Sequence, residues 1–414
     1  MEHEILKKAE KLLVARTPMS WARGLWAGPD QKLVWLKITL VSALICGFGL
    51  SWRLWTSSRL FPLSPVIDAL PAVPFPFDQI WFFSLLGLLV AIIIVAQPRR
   101  LILIFVVLAG LLSMWDQTRW QPWFYQYFFM LAAIGLYTWQ KPDAQNHQAA
   151  FDVCRLIVIF TYLWSGLQKF NANFVRETWP DIARPLLRSL PAAMKKLPPC
   201  LALLIPLLEI SVGLGLSTRK YRNASVVLAI ATHIVILLLL ISSGENTVVW
   251  PWNIAMVLFG LVLFWQDRET SPRKILLPKN VFHAVALLLF GVLPALSLID
   301  CWDSYLSSAL YSGNTDQAVI YLSPAVIDRL PSAIHPHIWQ STQPFFLDIN
   351  RWSYGELNVP VFPEPRAYRR VAKQICEYAQ NSSDIKLRIK EKPQMLTGRR
   401  ESEFYDCNHL GSPP

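Results

Sequence analysis

Polar and apolar positions along this chain segregate on a coarse scale. Long runs almost free of charge are separated by short basic or mixed segments. Nine such runs stand out: Leu33–Leu50, Ile80–Ala96, Leu101–Trp115, Trp123–Trp139, Val153–Leu167, Cys200–Leu216, Ser225–Ile241, Val248–Trp265 and Val281–Leu298. A bilayer core takes ~20 mostly apolar residues per helix, because no water is present there to satisfy backbone amides. The pattern therefore predicts eight or nine membrane-spanning helices over residues 33–299. Leu101–Trp115 is short enough to be partly re-entrant. Residues 1–32 are polar and mixed in charge, and the run beginning near Leu33 is long enough to be an uncleaved anchor.

After residue 300 the periodicity changes. Pro363–Gln380 places Ala367, Val371, Ile375 and Tyr378 at helical spacing. Asp384–Ile389 alternates Ile385, Leu387 and Ile389, the period of a half-buried strand. The expected fold class is an all-α polytopic membrane helix bundle with a small α+β extramembrane domain at residues 300–414.

Composition agrees. Of 414 residues, 53% are hydrophobic and 16% charged, against ~25% charged in an ordinary soluble domain. Eighteen tryptophans suit side chains that sit between lipid and water. The net charge of +11 lies entirely before residue 301, since the last 114 residues carry twelve basic and twelve acidic side chains. Basic charge beside apolar runs is an orientation signal, and the neutral tail offers no nucleic-acid surface. With a cytoplasmic N-terminus, Arg99–Arg100, Lys141, Arg219–Arg222 and the Arg268–Lys279 loop share the cytoplasmic side, near Lys37 and Arg155. Arg53, Arg59, Arg119 and the loop around Glu245 fall outside. The segment with Arg176, Arg184, Arg188, Lys195 and Lys196 breaks the trend. Nine spans put the tail outside the cytoplasm, in a multi-pass protein of the cell membrane.

Six cysteines form no C-x-x-C motif, and no zinc signature or phosphate loop occurs, so no metal is expected. Oxidation is permitted in an extracytoplasmic tail. Cys376 on the predicted helix and Cys407 beyond the predicted strand are the expected disulfide pair, with free thiols the alternative.

Ionisable groups within apolar spans are costly and therefore functional candidates. Lys169 ends the fifth run, Glu209 lies mid-run in the sixth and His233 mid-run in the seventh; Asn253 opens the eighth, after Gly244-Glu245-Asn246-Thr247. Each has a structural explanation: lysine snorkels, a glutamate pairs, and histidine and asparagine bond between helices. Four on consecutive runs predict one shared polar pocket. A sheltered lysine can act as a general base, a neutral histidine can pass a proton, and Trp- and Phe-rich walls suit a flat lipid-soluble molecule such as a quinone.

The segment Tyr162-Leu163-Trp164-Ser165-Gly166-Leu167-Gln168-Lys169-Phe170-Asn171-Ala172-Asn173-Phe174-Val175 resembles the lysine motif of vitamin K-dependent γ-carboxylase. It also resembles that of bacterial relatives carrying the horizontally transferred transmembrane (HTTM) domain. The resemblance covers roughly residues 150–265. It implies that Lys169 is the base linked to a quinol, with Glu209 and His233 at an acidic and a histidine position of the family. Gln168 stands for the motif's first lysine, and Asn171 and Asn173 for its two acidic residues. With so short a tail, this points away from protein carboxylation toward a quinol site. Trp164, Gln168, Asn171, Glu245, Asn246 and Asn253 are the expected substrate-binding residues.

The expected protein is a membrane enzyme acting on a quinol or another lipid-soluble reductant, with Lys169 the base, His233 a proton partner and Glu209 an orienting group. Its partners are the bilayer and a lipid-soluble small molecule, with no nucleic acid; a protein substrate is not specified. The alternative is a non-catalytic membrane scaffold or carrier that keeps the same fold.

Overall fold

In runs with no polar side chains to compete, backbone amides bond along the helix, and every apolar run is helical in the computed structural model of the chain. It describes residues 28–67, 69–138, 144–189, 199–244, 246–340 and 343–410. Helix α1 spans Pro29–Leu50, α2 Phe77–Ile94, α3 Arg99–Met114, α4 Pro122–Tyr137 and α5 Ala144–Gln168. After α6 (Trp179–Ser189) come α7 (Leu204–Ser217), α8 (Arg222–Ser243), α9 (Val249–Leu263) and α10 (Val281–Ala286). Proline opens α1 and α4, where its missing N–H costs nothing. Gly244, at φ 70°, ends α8 in the left-handed conformation that favours glycine.

Six helical stretches among the described residues are long and apolar enough to cross a membrane: Pro29–Leu50, Phe77–Ile94, His147–Gln168, Pro199–Ser217, Arg222–Ser242 and Val281–Ile299. The other three expected spans are shorter. Helices α3 and α4 have 16 residues each and α9 has 15. At 1.5 Å per residue that is roughly 24 Å, below the ~30 Å of a hydrocarbon core. Helix α4 is largely enclosed by its neighbours, with Trp123, Phe124, Tyr127 and Met130 fully buried. The last stretch does not stay α-helical. It passes from α10 through a π-helical segment, Leu287–Val292, to a 3-10 segment, Leu293–Ile299. Pro294 cannot donate an N–H to continue the ladder.

The helix ends sort into two groups. At one end, Lys37 Nζ donates to the Ile93 and Val95 carbonyls, Arg99 to Gly135, and Arg155 and Arg222 pair with Asp267. At the other end the chain after residue 300 docks. Asn358 donates to Leu50 O and Thr247 Oγ1, Glu356 accepts from the Leu60 and Phe61 amides, and Asn314 donates to Gln168 Oε1.

That region holds a small antiparallel sheet of β1 (Gln317–Leu322), β2 (Ile338–Trp339), β3 (Phe345–Asp348), β4 (Ile385–Lys390) and β5 (Ser402–Asp406), ordered β2-β3-β1-β4-β5. Ile320 faces Leu347 on one side and Leu387 on the other, so the buried residues of three strands align in rows. Helix α11 (Ile349–Leu357) and helix α12 (Pro365–Ile375) cover this face. Helix α12 buries Ala367, Val371 and Ile375, as the spacing predicts, but stops at Ile375, and a 3-10 turn continues to Tyr378. The expected strand appears one residue later, as β4. A disulfide joins Cys376 to Cys407, tying the end of α12 to the sheet edge beyond β5.

Candidate functional site: a buried polar cluster on an apolar cavity

Two glycines bring the key helices together. A Cβ at Gly166 would lie 2.8 Å from the Pro206 carbonyl, and one at Gly213 would lie 3.1 Å from the Ile159 carbonyl. Only glycine lets α5 and α7 approach so closely. The approach sets Lys169, at the end of α5, against Glu209 on α7. Lys169 Nζ lies 2.7 Å from Glu209 Oε2 and 3.0 Å from Oε1, and donates to Ser165 Oγ at 2.6 Å. Both side chains are buried.

A second chain of bonds runs across α5, α8 and α9. The Asn253 amide donates through Nδ2 to the Val249 carbonyl at 2.8 Å, which fixes its Oδ1 toward His233 Nδ1 at 2.7 Å. Oδ1 can only accept, so Nδ1 carries the proton. In the neutral imidazole Nε2 is then the acceptor, and the Tyr162 hydroxyl donates to it at 2.6 Å. The proton path reads Tyr162 O–H, His233 Nε2, His233 Nδ1–H, Asn253 Oδ1.

Both groups face one cavity of about 140 Å³. Tyr162, Ser165, Lys169, Glu209, His233 and Asn253 all line it, and its walls are otherwise mainly apolar, with Phe174, Trp179, Trp252 and Met256. Ser308, Leu310 and Tyr311, from the chain that follows the last apolar stretch, close one side. The Lys169–Glu209 pair is net neutral whichever partner holds its proton, and the hydrogen bonds to Tyr162 and Asn253 match a neutral imidazole. The site therefore carries no net charge and suits an uncharged ligand with one or two hydroxyl or carbonyl groups.

Sequence reasoning placed Lys169, Glu209, His233 and Asn253 in one pocket, and the structure brings these four together. The remaining expected residues sit elsewhere. Trp164 turns its indole N–H to the Gly291 carbonyl at 3.2 Å and does not line the cavity. Gln168 bonds to Ser297 Oγ at 2.6 Å and to Asn314 at 2.7 Å, fastening the tail to the helices. Asn171 donates to the Gln168 and Ser312 carbonyls and accepts from the Phe174 amide, shaping the turn after α5. Their polar groups are consumed by the fold, which corrects their expected place on the ligand surface. Asn246 is one layer back, donating to the hydroxyl of the cavity residue Tyr311 at 2.6 Å. Glu245 lies outside the described residues. Among those residues no group of histidine, cysteine and carboxylate side chains is arranged to hold a metal ion.

Tyr162 was missed, although it lies seven residues before Lys169 on the same face of α5, with Ser165 between them. Tyr311 and Trp179 carried no comparable signal, because chain segments outside the apolar runs bring them to the cavity.

The chain matches no protein-family model, no curated protein and no solved structure.

Proposed function

We propose that this chain is a polytopic membrane protein whose helices enclose a site for a quinol or a similar lipid-soluble reductant, as in the membrane core of the γ-carboxylase-like group. One observation carries this reading. Lys169–Glu209 and Tyr162–His233–Asn253, two complete proton-handling groups, line the same apolar cavity. Purely structural polar pairs between helices have no need of shared empty space.

The residues fit a quinol ring by chemistry. Apolar walls hold the ring, and a hydroxyl–imidazole pair and an amine–carboxylate pair meet its oxygens. The bound quinol would supply reducing equivalents. With the proton of the Lys169–Glu209 pair on the carboxyl, the Lys169 amine takes a proton from a ligand hydroxyl, and the ammonium so formed lies 2.7 Å from Glu209. Ser165 orients the amine. The Tyr162 oxygen accepts from a ligand hydroxyl, while the phenol proton is held on His233 and Asn253 fixes the imidazole.

The docked tail belongs on the extracytoplasmic side in this reading. The Cys376–Cys407 disulfide supports that side, as does the basic character of the opposite helix ends. The test is the lipid fraction of the purified protein. A quinone should co-purify, and Lys169→Ala should abolish quinol-dependent oxygen uptake in a protein that still elutes as folded. No quinone and no uptake in the wild type would leave the scaffold or carrier reading.

A further inference from the structure

A second, larger cavity of about 580 Å³ lies apart from the first, where the helix ends meet the tail. The end of α3, the first half of α4, Leu289, residues 300–303 with Leu306, and Phe362, Glu364 and Arg366 line it. Its aromatic walls are Trp120, Tyr125, Phe129, Trp302 and Phe362.

The charges on its lining do not cancel. Arg366 is held by Asp303 at 2.7 Å, by the Gln117 side chain and over the Phe362 ring. Asp300 is mostly exposed and pairs with Lys392 at 2.8 Å. Glu364 is 8% exposed, and one of its oxygens accepts from the Ser304 amide at 2.8 Å. No cation lies within ion-pair distance of it among the described residues. Burial pushes its carboxyl above the usual carboxylate range.

Two donors on the same lining also lack partners. The Tyr125 side chain is 5% exposed, and its hydroxyl has no hydrogen-bond partner. Tyr125 lines the cavity from α4. The Trp302 indole N–H is unpartnered as well. A buried polar group left unmatched is costly, so two unmatched donors beside a carboxylate with no cation point to an occupant. That occupant must bring a cationic N–H group for Glu364 and acceptor oxygens for Tyr125 and Trp302. Aromatic walls favour an ammonium. Leu289 and Phe129 continue the lining along the apolar stretches, where an acyl chain would lie.

We propose that this cavity binds the headgroup of a zwitterionic phospholipid, with its ammonium on Glu364 and its phosphate oxygens on Tyr125 and Trp302. The proposal rests on the membrane placement argued above and is independent of any chemistry at Lys169.

Native mass spectrometry of the full chain in detergent tests it, with phosphatidylethanolamine, phosphatidylglycerol and chain-free phosphoethanolamine as probes. The ethanolamine lipid should bind at least ~10-fold more tightly than the glycerol lipid. Glu364→Gln keeps the bond from Ser304 and should lose about tenfold in affinity for the ethanolamine lipid alone. Tyr125→Phe should lose about threefold, and it serves as the second probe if the first variant does not fold. Equal binding of both lipids, or binding unchanged in both variants, would overturn the site. Chain-free phosphoethanolamine binding as tightly as the lipid would overturn the lipid assignment.

Discussion

Two buried charge clusters sit at opposite ends of the helices, and they differ in what surrounds them. In the first, Asp152 pairs with Arg155 at 3.1 Å and Lys279 at 2.6 Å, while Asp267 takes Arg155 at 2.8 Å and Arg222 at 3.5 Å. The guanidinium groups also donate to the Leu263 and Leu216 carbonyls. None of these residues lines a cavity described above. In the second, Lys169 and Glu209 are equally well paired, but they border open apolar space that Tyr162, Ser165, His233 and Asn253 share. Burial and pairing alone do not mark a functional site. A paired charge beside space for a ligand does.

Breaking the packed cluster should produce the largest effect. Asp267→Ala strips Arg155 and Arg222 of their shared carboxylate, and uncompensated buried charge costs about 3–5 kcal/mol. Thermal melting in detergent should show a large loss of stability; a melting point within a degree or two of wild type would refute a structural role. At the cavity, Tyr162→Phe leaves His233 Nε2 without its donor, a cost of about 1–3 kcal/mol. It should also alter the pH profile of quinol-dependent oxygen uptake. An unaltered profile would remove Tyr162 from the proton path. Replacing the whole pair, Lys169→Met with Glu209→Leu, should change stability by no more than ~1 kcal/mol, because apolar side chains of similar volume can replace a buried pair. The same variant should lose the co-purifying quinone. Retention of that quinone would contradict the comparison from its other side.

A graded effect belongs to a carboxylate outside both clusters. Burial raises the Asp316 carboxyl from 3.8 to about 7, with Glu364 adding to the shift. Between those values the folded state holds more protons than the unfolded state. The stabilisation is complete below the unfolded value and is lost as pH rises through about 7. The slope should stay below ~1 kcal/mol per pH unit, since the group is not wholly enclosed. Asp316→Asn should flatten it in melts recorded from pH 5 to pH 8.

Much of this was legible in the sequence, for identifiable reasons. Apolar runs betray helices, because a chain without polar side chains must satisfy its own amides. The shared pocket of Lys169, Glu209, His233 and Asn253 was legible because charge in an apolar run has few alternatives to a partner. Their order was not. That Lys169 meets Glu209 while His233 meets Tyr162 depends on close packing at Gly166 and Gly213, which one-dimensional spacing does not encode. Trp164, Gln168 and Asn171 misled because a polar group near a pocket in sequence can turn to a carbonyl or another side chain in space. Strand β1 escaped notice because Val319 and Tyr321 make its outer face nearly as apolar as the buried Ala318, Ile320 and Leu322, hiding the alternation. Arg155 and Arg222 looked like orientation signals, yet their charges are spent on Asp152 and Asp267.

The comparison stands on the claim that the cavity beside Lys169 receives a lipid-soluble ligand. A photoreactive quinone analogue, cross-linked to the protein in membranes and mapped by peptide sequencing, tests it directly. Label should fall on the segments around Tyr162, Trp252 and Met256, and unlabelled quinone should compete it away. Label spread over the outward-facing residues of α2, undiminished by competitor, would contradict the account.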